Sequence, residues 1–279
     1  MRSSDLAAFL SEHPRAIVAE LAAVQGSSPR EQGAFMLIAP DALLGTIGGG
    51  ALEYMVIARA RKAMRGMLDV PLGPEIGQCC GGRAVVYLRV VLRADSERLM
   101  ARLREAEAAR PHVYLFGSGH VGKALARALS VLPLQVHVID TRPDELHDLP
   151  AGVEARAVPM PEAVVRSAPR GSAFVILTHD HALDFLIAAE ALKRADSPYV
   201  GMVGSRTKRA KFASWYRGEG GREDDLRRLV LPIGAFGLVD KRPEVIAALA
   251  AAEIMVHIGR GEASDARQES EMMSGAAVD

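Results

Sequence analysis

His112-Val113-Tyr114-Leu115-Phe116-Gly117-Ser118-Gly119-His120-Val121-Gly122 is the stretch that decides the fold. Its first five residues predict a buried strand, the glycines a turn, and Lys123 to Ser130 a helix. In that order, Gly-x-Gly-x-x-Gly is a dinucleotide fingerprint in the context it requires. Gly117 permits the turn, Gly119 lets backbone approach a phosphate, and Gly122 lets helix pack on strand. The helix N-terminus adds free N–H groups and positive partial charge. Gln135 to Asp140 reads as the next strand. Asp140 ends it where a ribose hydroxyl would sit, and Arg142 could instead meet a phosphate. NAD or NADP is one ligand for such a site; a scaffold that keeps the turn and binds something else is the alternative. His120, bulky and polar inside the loop, either faces a ligand or is solvated.

Working outward, further strands are expected at 153–157, 173–177, 199–203 and 228–231, with helices at 161–167, 182–195 and 206–217 between them. This alternation argues for a parallel sheet covered on both faces. Ligands of such sheets bind beyond the carboxyl ends of the strands. Two segments qualify: Thr178-His179-Asp180-His181 with Asp184, and Gly204-Ser205-Arg206. His179 and His181 could face a ligand, but two histidines are too few for a closed zinc site. A last helix over 243–258 sets Val245, Leu249, Ala252 and Val256 on one stripe. Residues 262–279, rich in Ser, Glu and Ala, are expected to be a flexible tail.

The first half has another rhythm. Residues 3–11 predict a helix, and 15–24 alternate as a strand, although their alanines leave a helix open. A polar loop over 26–33 offers the hydroxyls of Ser27 and Ser28 and the guanidinium of Arg30. A strand at 34–38 and a turn at 41–45 lead to Gly48-Gly49-Gly50, which opens a helix over 51–65. The triglycine is either a second anion cradle or a turn that needs glycine for backbone reasons. Glu53, in the first helical turn, either compensates the helix dipole or acts chemically. A strand over 83–92, an N-cap at Asp95-Ser96 and a helix over 96–109 follow, and Arg110-Pro111 marks a boundary. The fold class is therefore α/β: a smaller N-terminal α+β domain over 1–109 and a Rossmann-like parallel-sheet domain over 110–261.

Between helix and strand lies Gly77-Gln78-Cys79-Cys80-Gly81-Gly82. These are the only two cysteines among 279 residues. Adjacent Cα atoms lie about 3.8 Å apart, closer than the usual disulfide range of about 4.4–6.8 Å, so a relaxed staple is disfavoured. Two soft thiols in a glycine-rich loop suit holding or reacting with something; small buried apolar side chains are the plainer reading. Composition narrows the rest. The 34 basic and 34 acidic residues cancel, leaving no footprint for nucleic acid or an anionic membrane. No apolar run reaches the roughly 18 residues of a membrane helix. Charged residues interrupt any leader-like apolar start, and cysteine usage fits a reducing cytoplasm.

Taken together, several segments resemble the XdhC/CoxI family, the accessory proteins of xanthine dehydrogenase and related molybdenum hydroxylases. The matching pieces are Gly26-Ser-Ser-Pro-Arg30, Gly45-Thr-Ile-Gly-Gly-Gly-Ala-Leu-Glu53 and Gly77-Gln-Cys-Cys-Gly-Gly82. Phe116-Gly-Ser-Gly-His-Val-Gly122, Thr178-His-Asp-His181, Gly201-Met-Val-Gly-Ser-Arg206 and Pro232-Ile-Gly234 continue the likeness. The resemblance implies a chaperone for molybdenum cofactor rather than an enzyme. Such a protein would bind the cofactor as cargo, support its sulfuration by a cysteine desulfurase, and deliver it to apo-xanthine dehydrogenase. Other cofactor-biosynthesis proteins and a second copy of the chain are further implied partners. Cys79 and Cys80 match the family's paired cysteines and would contact the cargo: as molybdenum ligands, as a persulfide relay, or by packing beside it. Gln78, Ser27, Ser28, Arg30, Gly48, Gly49, Gly50, Gly117, Gly119, His120, Gly122, Asp140, His179, His181, Ser205 and Arg206 complete the expected binding set. An NAD(P)-dependent oxidoreductase and a persulfide carrier are the rival readings.

Overall fold

In the first unit residues 66–72 and 82–90 alternate buried with more exposed positions, whereas Phe35–Ile38 is buried throughout. The structure, a computed structural model, describes residues 1–62, 64–73, 81–235, 237–238 and 240–275, with side chains to residue 261. The chain divides into two compact units, Met1–Ala109 and Arg110–Asp279. The first contains α1 (Ser3–Glu12), β1 (Ile17–Gln25), β2 (Phe35–Ile38), β3 (Leu43–Gly45), α2 (Gly50–Arg61), β4 (Gly66–Leu72), β5 (Gly82–Val90) and α3 (Arg93–Ala108). Its sheet runs β3-β2-β1-β5-β4, antiparallel at every pairing. Ile17, Ala19 and Leu21 of β1 share a buried cluster with Leu52 and Val56 of α2. Val18 lies in a second cluster with Leu6 of α1 and Leu99 of α3. One helix therefore covers one face, and two cover the other.

Glu20 shares the α3 face with Val18 and accepts from three guanidiniums: Arg89 at 2.9 Å, Arg98 at 3.0 Å and Arg102 at 3.0 Å. Burial opposes its ionisation, yet Arg98 and Arg89 hold the carboxyl down at about 2. Three local readings of the sequence change here. Residues 66–72 form a strand, hidden in the sequence by Asp69 and Pro71; as an edge strand, β4 tolerates proline. Residues 43–45 are a short strand rather than only a turn. Helix α3 begins at Arg93, so Asp95 is not its cap but accepts the Leu92 amide from inside the first turn, at 3.2 Å.

Runs without polar alternation mark strands buried on both sides, and these build the second unit apart from its exposed edge strand at Val153–Ala157. It contains β6 (His112–Phe116), α4 (His120–Ser130), β7 (Gln135–Asp140), β8 (Val153–Ala157), α5 (Pro161–Ser167), β9 (Ala173–Ile176) and α6 (His181–Lys193). β10 (Val200–Met202), α7 (Arg206–Gly218), α8 (Glu223–Arg228), β11 (Leu229–Val230) and α9 (Pro243–Gly275) follow. The expected parallel sheet is present, ordered β11-β10-β9-β6-β7-β8. The chain leaves β6 outward through β7 and β8, then returns to β9 on the other side. This is the doubly wound order, with its switch point between β6 and β9. Val113 and Leu115 pack with α4 and α9, whereas Tyr114 and Phe116 pack with α5, α6 and α7. The α8 turn was not legible, because its Glu-Asp-Asp-Leu-Arg-Arg carries a single apolar residue. Among the described residues, no helix is long and apolar enough to cross a membrane.

A titratable stack lies among the first residues of β6 and β7. His137 Nε2 is 2.9 Å from His112 Nδ1, its Nδ1 is 3.0 Å from Glu154, and its ring stacks 4.4 Å from Tyr114. Burial pushes the pKa of His137 down against the opposing pull of Glu154, with His112 and Arg156 lowering it further. Burial also lowers His112. The folded chain thus binds fewer protons than the unfolded one below the ordinary histidine pKa of about 6.5. Stability is full above that pH and falls as pH drops through it toward the lower folded values. Melting followed by Trp215 fluorescence should show Tm falling between pH 7.5 and pH 5. His137→Phe should flatten that decline; an unchanged slope would remove the stack as its cause.

Candidate functional site

Each unit carries a glycine-built edge. In the second, Gly117 has φ +117°, and a Cβ there would stand 2.4 Å from the Leu177 carbonyl oxygen. Only glycine allows the β6 turn to lie this close to the end of β9. A Cβ on Gly122 would reach 2.0 Å from the Gly117 oxygen, so α4 rests directly on the turn. Gly119 differs: a Cβ there would meet nothing within 4 Å. The open space lies at the N-terminus of α4, where unpaired amides favour an anion. His120 begins that helix and is exposed.

Asp140 is already engaged. Its Oδ2 accepts the Ser118 amide at 2.8 Å, and its Oδ1 accepts the Arg142 amide at 3.0 Å and Nε at 3.1 Å. Burial works against ionisation, but Arg142 and the two amides hold the carboxyl below its usual range. A nucleotide hydroxyl would share this carboxylate with four existing N–H donors, Arg142 Nη2 at 3.2 Å from Oδ2 included.

On the other side of the switch point, Asp180 caps α6 by accepting the Ala182 and Leu183 amides. Its neighbours His179 and His181 are exposed, and no metal-holding cluster of three occurs among the described residues. Asp184, one turn into α6, is 1 % exposed. It accepts the Thr178 amide at 3.0 Å and hydroxyl at 2.7 Å, and Lys208 Nζ at 2.5 Å. Lys208 also donates to the Val203 carbonyl at 2.9 Å. This buried pair joins the segment after β9 to the segment after β10. Ser205 caps α7 by accepting the Lys208 amide, which leaves Arg206 exposed in the first turn. Gly119, His120, His179, His181 and Arg206 thus follow the carboxyl ends of β6, β9 and β10, and Asp140 ends β7.

In the first unit, three stretches far apart in sequence meet at one sheet edge. Pairing of β1 with β5 sets Gln25 opposite Arg83, and Ser27 bridges to Gly81. A Cβ on Gly82 would stand 2.1 Å from the Ser27 oxygen. A Cβ on Gly48 would stand 2.5 Å from Pro29 Cγ. The Ser27–Arg30 loop is therefore held between the triglycine and the Gly81–Gly82 pair. Beside it runs an open groove of about 540 Å³ lined by Pro29, Arg30, Glu31, Gln32, Gly33 and Arg102. Ser28 donates to the Arg30 carbonyl at 3.0 Å, and the Arg30 side chain is exposed. Gln78, Cys79 and Cys80 lie outside the described residues.

The triglycine does less as an anion cradle than its sequence suggests. Glu53 Oε1 accepts the Gly49 amide at 2.9 Å, the Ile47 amide at 3.0 Å and the Thr46 hydroxyl at 2.5 Å, while the Gly48 amide donates to Thr46 Oγ1 at 3.2 Å. Burial opposes its charge, yet these donors hold Glu53 below the usual carboxylate range. The chain thus supplies its own anion to this loop. Sequence reading did not single out Lys208 as a partner of Asp184, Thr46 as a partner of Glu53, or Ser118 as a partner of Asp140. Only the acids' positions just after glycine turns or strand ends hinted at them.

The glycine contacts give a sharp contrast. Gly122→Ala should destabilise the second unit by about 2 kcal/mol or more, because backbone must move. Gly119→Ala should cost less than about 1 kcal/mol, chiefly from a poorer cap. Urea melts followed through Trp215, the chain's single tryptophan, check both. Equal losses would contradict the geometry.

A family model described as the XdhC Rossmann domain matches residues 113–254, and one described as the XdhC and CoxI family matches residues 9–69. "Uncharacterized protein YqeB" of Escherichia coli (strain K12) is 26% identical over 253 aligned positions, a match that covers 85% of this chain and 42% of that protein. The chain thus spans less than half the length of this curated relative. A crystal structure described as a xanthine dehydrogenase from Bacillus halodurans has a TM-score of 0.74 at 19% identity, covering 93% of this chain and 96% of that one. At that identity the likeness concerns the fold. Family models matching both units show that the chain belongs to the XdhC and CoxI family.

Proposed function

We propose that this chain is a maturation accessory protein for xanthine dehydrogenase or a related molybdenum hydroxylase, carrying molybdenum cofactor as cargo rather than turning over a substrate. The observation that carries the reading is the meeting of Ser27–Arg30, Gly48 and Gly81–Gly82 at one edge of the first unit. Cys80 immediately precedes Gly81 in sequence. The groove beside it presents Arg30 for a phosphate. Soft thiolates suit a molybdenum centre better than hard oxygen donors do. In this reading Cys79 and Cys80 contact the metal end of the cargo, and Arg30 with Ser27 and Ser28 holds its phosphate. A cysteine desulfurase supplies sulfur: a thiolate of the pair attacks the donor's persulfide, takes its outer sulfur as a new persulfide, and releases the donor cysteine as thiolate. The apo-enzyme then receives the cargo.

The geometry at Gly119 favours a second reading, a nicotinamide-dependent oxidoreductase. Its open space at the α4 N-terminus suits a pyrophosphate. Against it stands Asp140, whose carboxylate is already filled.

Titration of purified protein with molybdenum cofactor, paired with activation of apo-xanthine dehydrogenase, tests the proposal. Cys79→Ala and Cys80→Ala should each weaken binding by about tenfold or more, equivalent to about 1.4 kcal/mol, and should lower activation. Unchanged affinity and activation in both variants would remove the cysteines from the mechanism. Mass spectrometry after incubation with a cysteine desulfurase should show one added sulfur on the pair; its absence rules out the relay. A change in NADH or NADPH fluorescence on adding the protein would favour the second reading.

A further inference from the structure

Some arginines of this chain pair with carboxylates, such as Arg83 with Asp69 and Arg142 with Asp140, and others have no ion-pair partner among the described residues. Three of the latter gather in the first unit. Arg15, Arg61 and Arg65 line a groove of about 360 Å³ together with Ile17, Ile38, Ala39, Pro40 and Ala60. The groove lies between the end of α2, the start of β1 and the end of β2, which antiparallel pairing of Ile17 with Ile38 brings together. Its floor is aliphatic: Ile17, Ile38, Ala39 and Ala60 are each less than 9 % exposed. All three arginines are exposed, and none has an ion-pair partner among the described residues. Among the described residues, no acid lines the groove. The nearest one in sequence, Asp41, lies 3.8 Å from His13 Nδ1. Met64, between two of the arginines in sequence, is 46% exposed.

An aliphatic floor ringed by unpaired guanidiniums has the composition of a protein interface, where arginine and methionine are enriched. It lacks the aromatic platforms on which nucleic-acid bases stack. Unpaired cations around an apolar floor are complementary to carboxylates carried on an apolar backbone. We propose that this groove docks an acidic, leucine-like segment of a partner protein. Aliphatic side chains of that segment enter over Ile17 and Ile38, and its carboxylates meet Arg15, Arg61 and Arg65. None of these residues belongs to the proposed cargo site, so the inference stands apart from cargo binding.

A short fluorescein-labelled peptide alternating Glu with Leu serves as the probe, read by fluorescence anisotropy on the full chain. The wild type should bind it, with affinity falling as salt rises. The Arg15→Gln, Arg61→Gln, Arg65→Gln triple variant should bind about tenfold or more weakly, and Arg61→Gln alone by a smaller factor. The same peptide with Gln for Glu should also bind about tenfold more weakly. Circular dichroism and the urea midpoint of the triple variant should match the wild type, since the substituted side chains are exposed. Its affinity for molybdenum cofactor should be unchanged, which separates this inference from the cargo reading. Equal peptide binding by wild type and triple variant, equal binding of the Gln peptide, or no binding at all would overturn the proposal. So would arginine-dependent binding to phosphatidylserine vesicles without peptide binding, which would assign the groove to a membrane surface.

Discussion

The Cα face of one backbone can press against another backbone only where the side chain is missing, and both glycine-built edges of this protein depend on that. Gly82 against the Ser27 carbonyl, Gly117 against the end of β9, and Gly122 against the Gly117 carbonyl are contacts that a single methyl would force apart. Hydrogen bonds and apolar packing hold the layers together, but these contacts set where loops from different strands converge. The strands deliver chain ends to an edge. The glycines decide how near those ends come and which amides remain uncovered.

A second regularity concerns charge. Three carboxylates sit where anions from outside might be expected: Glu53 over the triglycine loop, Asp140 beside the first fingerprint glycine, and Asp184 behind the turn after β9. Each binds backbone amides of its own unit, and such charge-assisted bonds are stronger than neutral ones. The loops are thereby fixed before any ligand arrives. What stays open is narrower than the motifs imply: the space over Gly119 and exposed side chains such as Arg30, His120 and Arg206. Preorganisation of this kind lowers the ordering cost of binding.

The sequence revealed the parallel sheet because its strands are buried on both faces. An uninterrupted apolar run such as Val113–Phe116 leaves little room for another reading, and the three fingerprint glycines play distinguishable parts in the structure. Unit 1 was harder. Residues 15–24 alternate but are alanine-rich, and pairing with β2 and β5, not propensity, makes them a strand. β4 escaped notice because an edge strand needs few apolar residues and accepts Pro71. The partners of Asp184 and Glu53 were not legible, since Lys208 lies 24 residues from its acid and the Thr46 hydroxyl has no signature of its own. The cysteine pair is the most conspicuous feature of the sequence and lies outside the described residues.

The ion pair beneath the switch point also carries a mechanical meaning. Asp184 and Lys208 are almost wholly sealed from solvent, and separating such a pair costs about 3–5 kcal/mol. Thr178 and the Val203 carbonyl are bonded to the same two side chains, so the two crossover segments that carry His179 and Arg206 are riveted together. That half of the crevice behaves as one stiff jaw. The segments after β9 and β10 therefore move together or not at all.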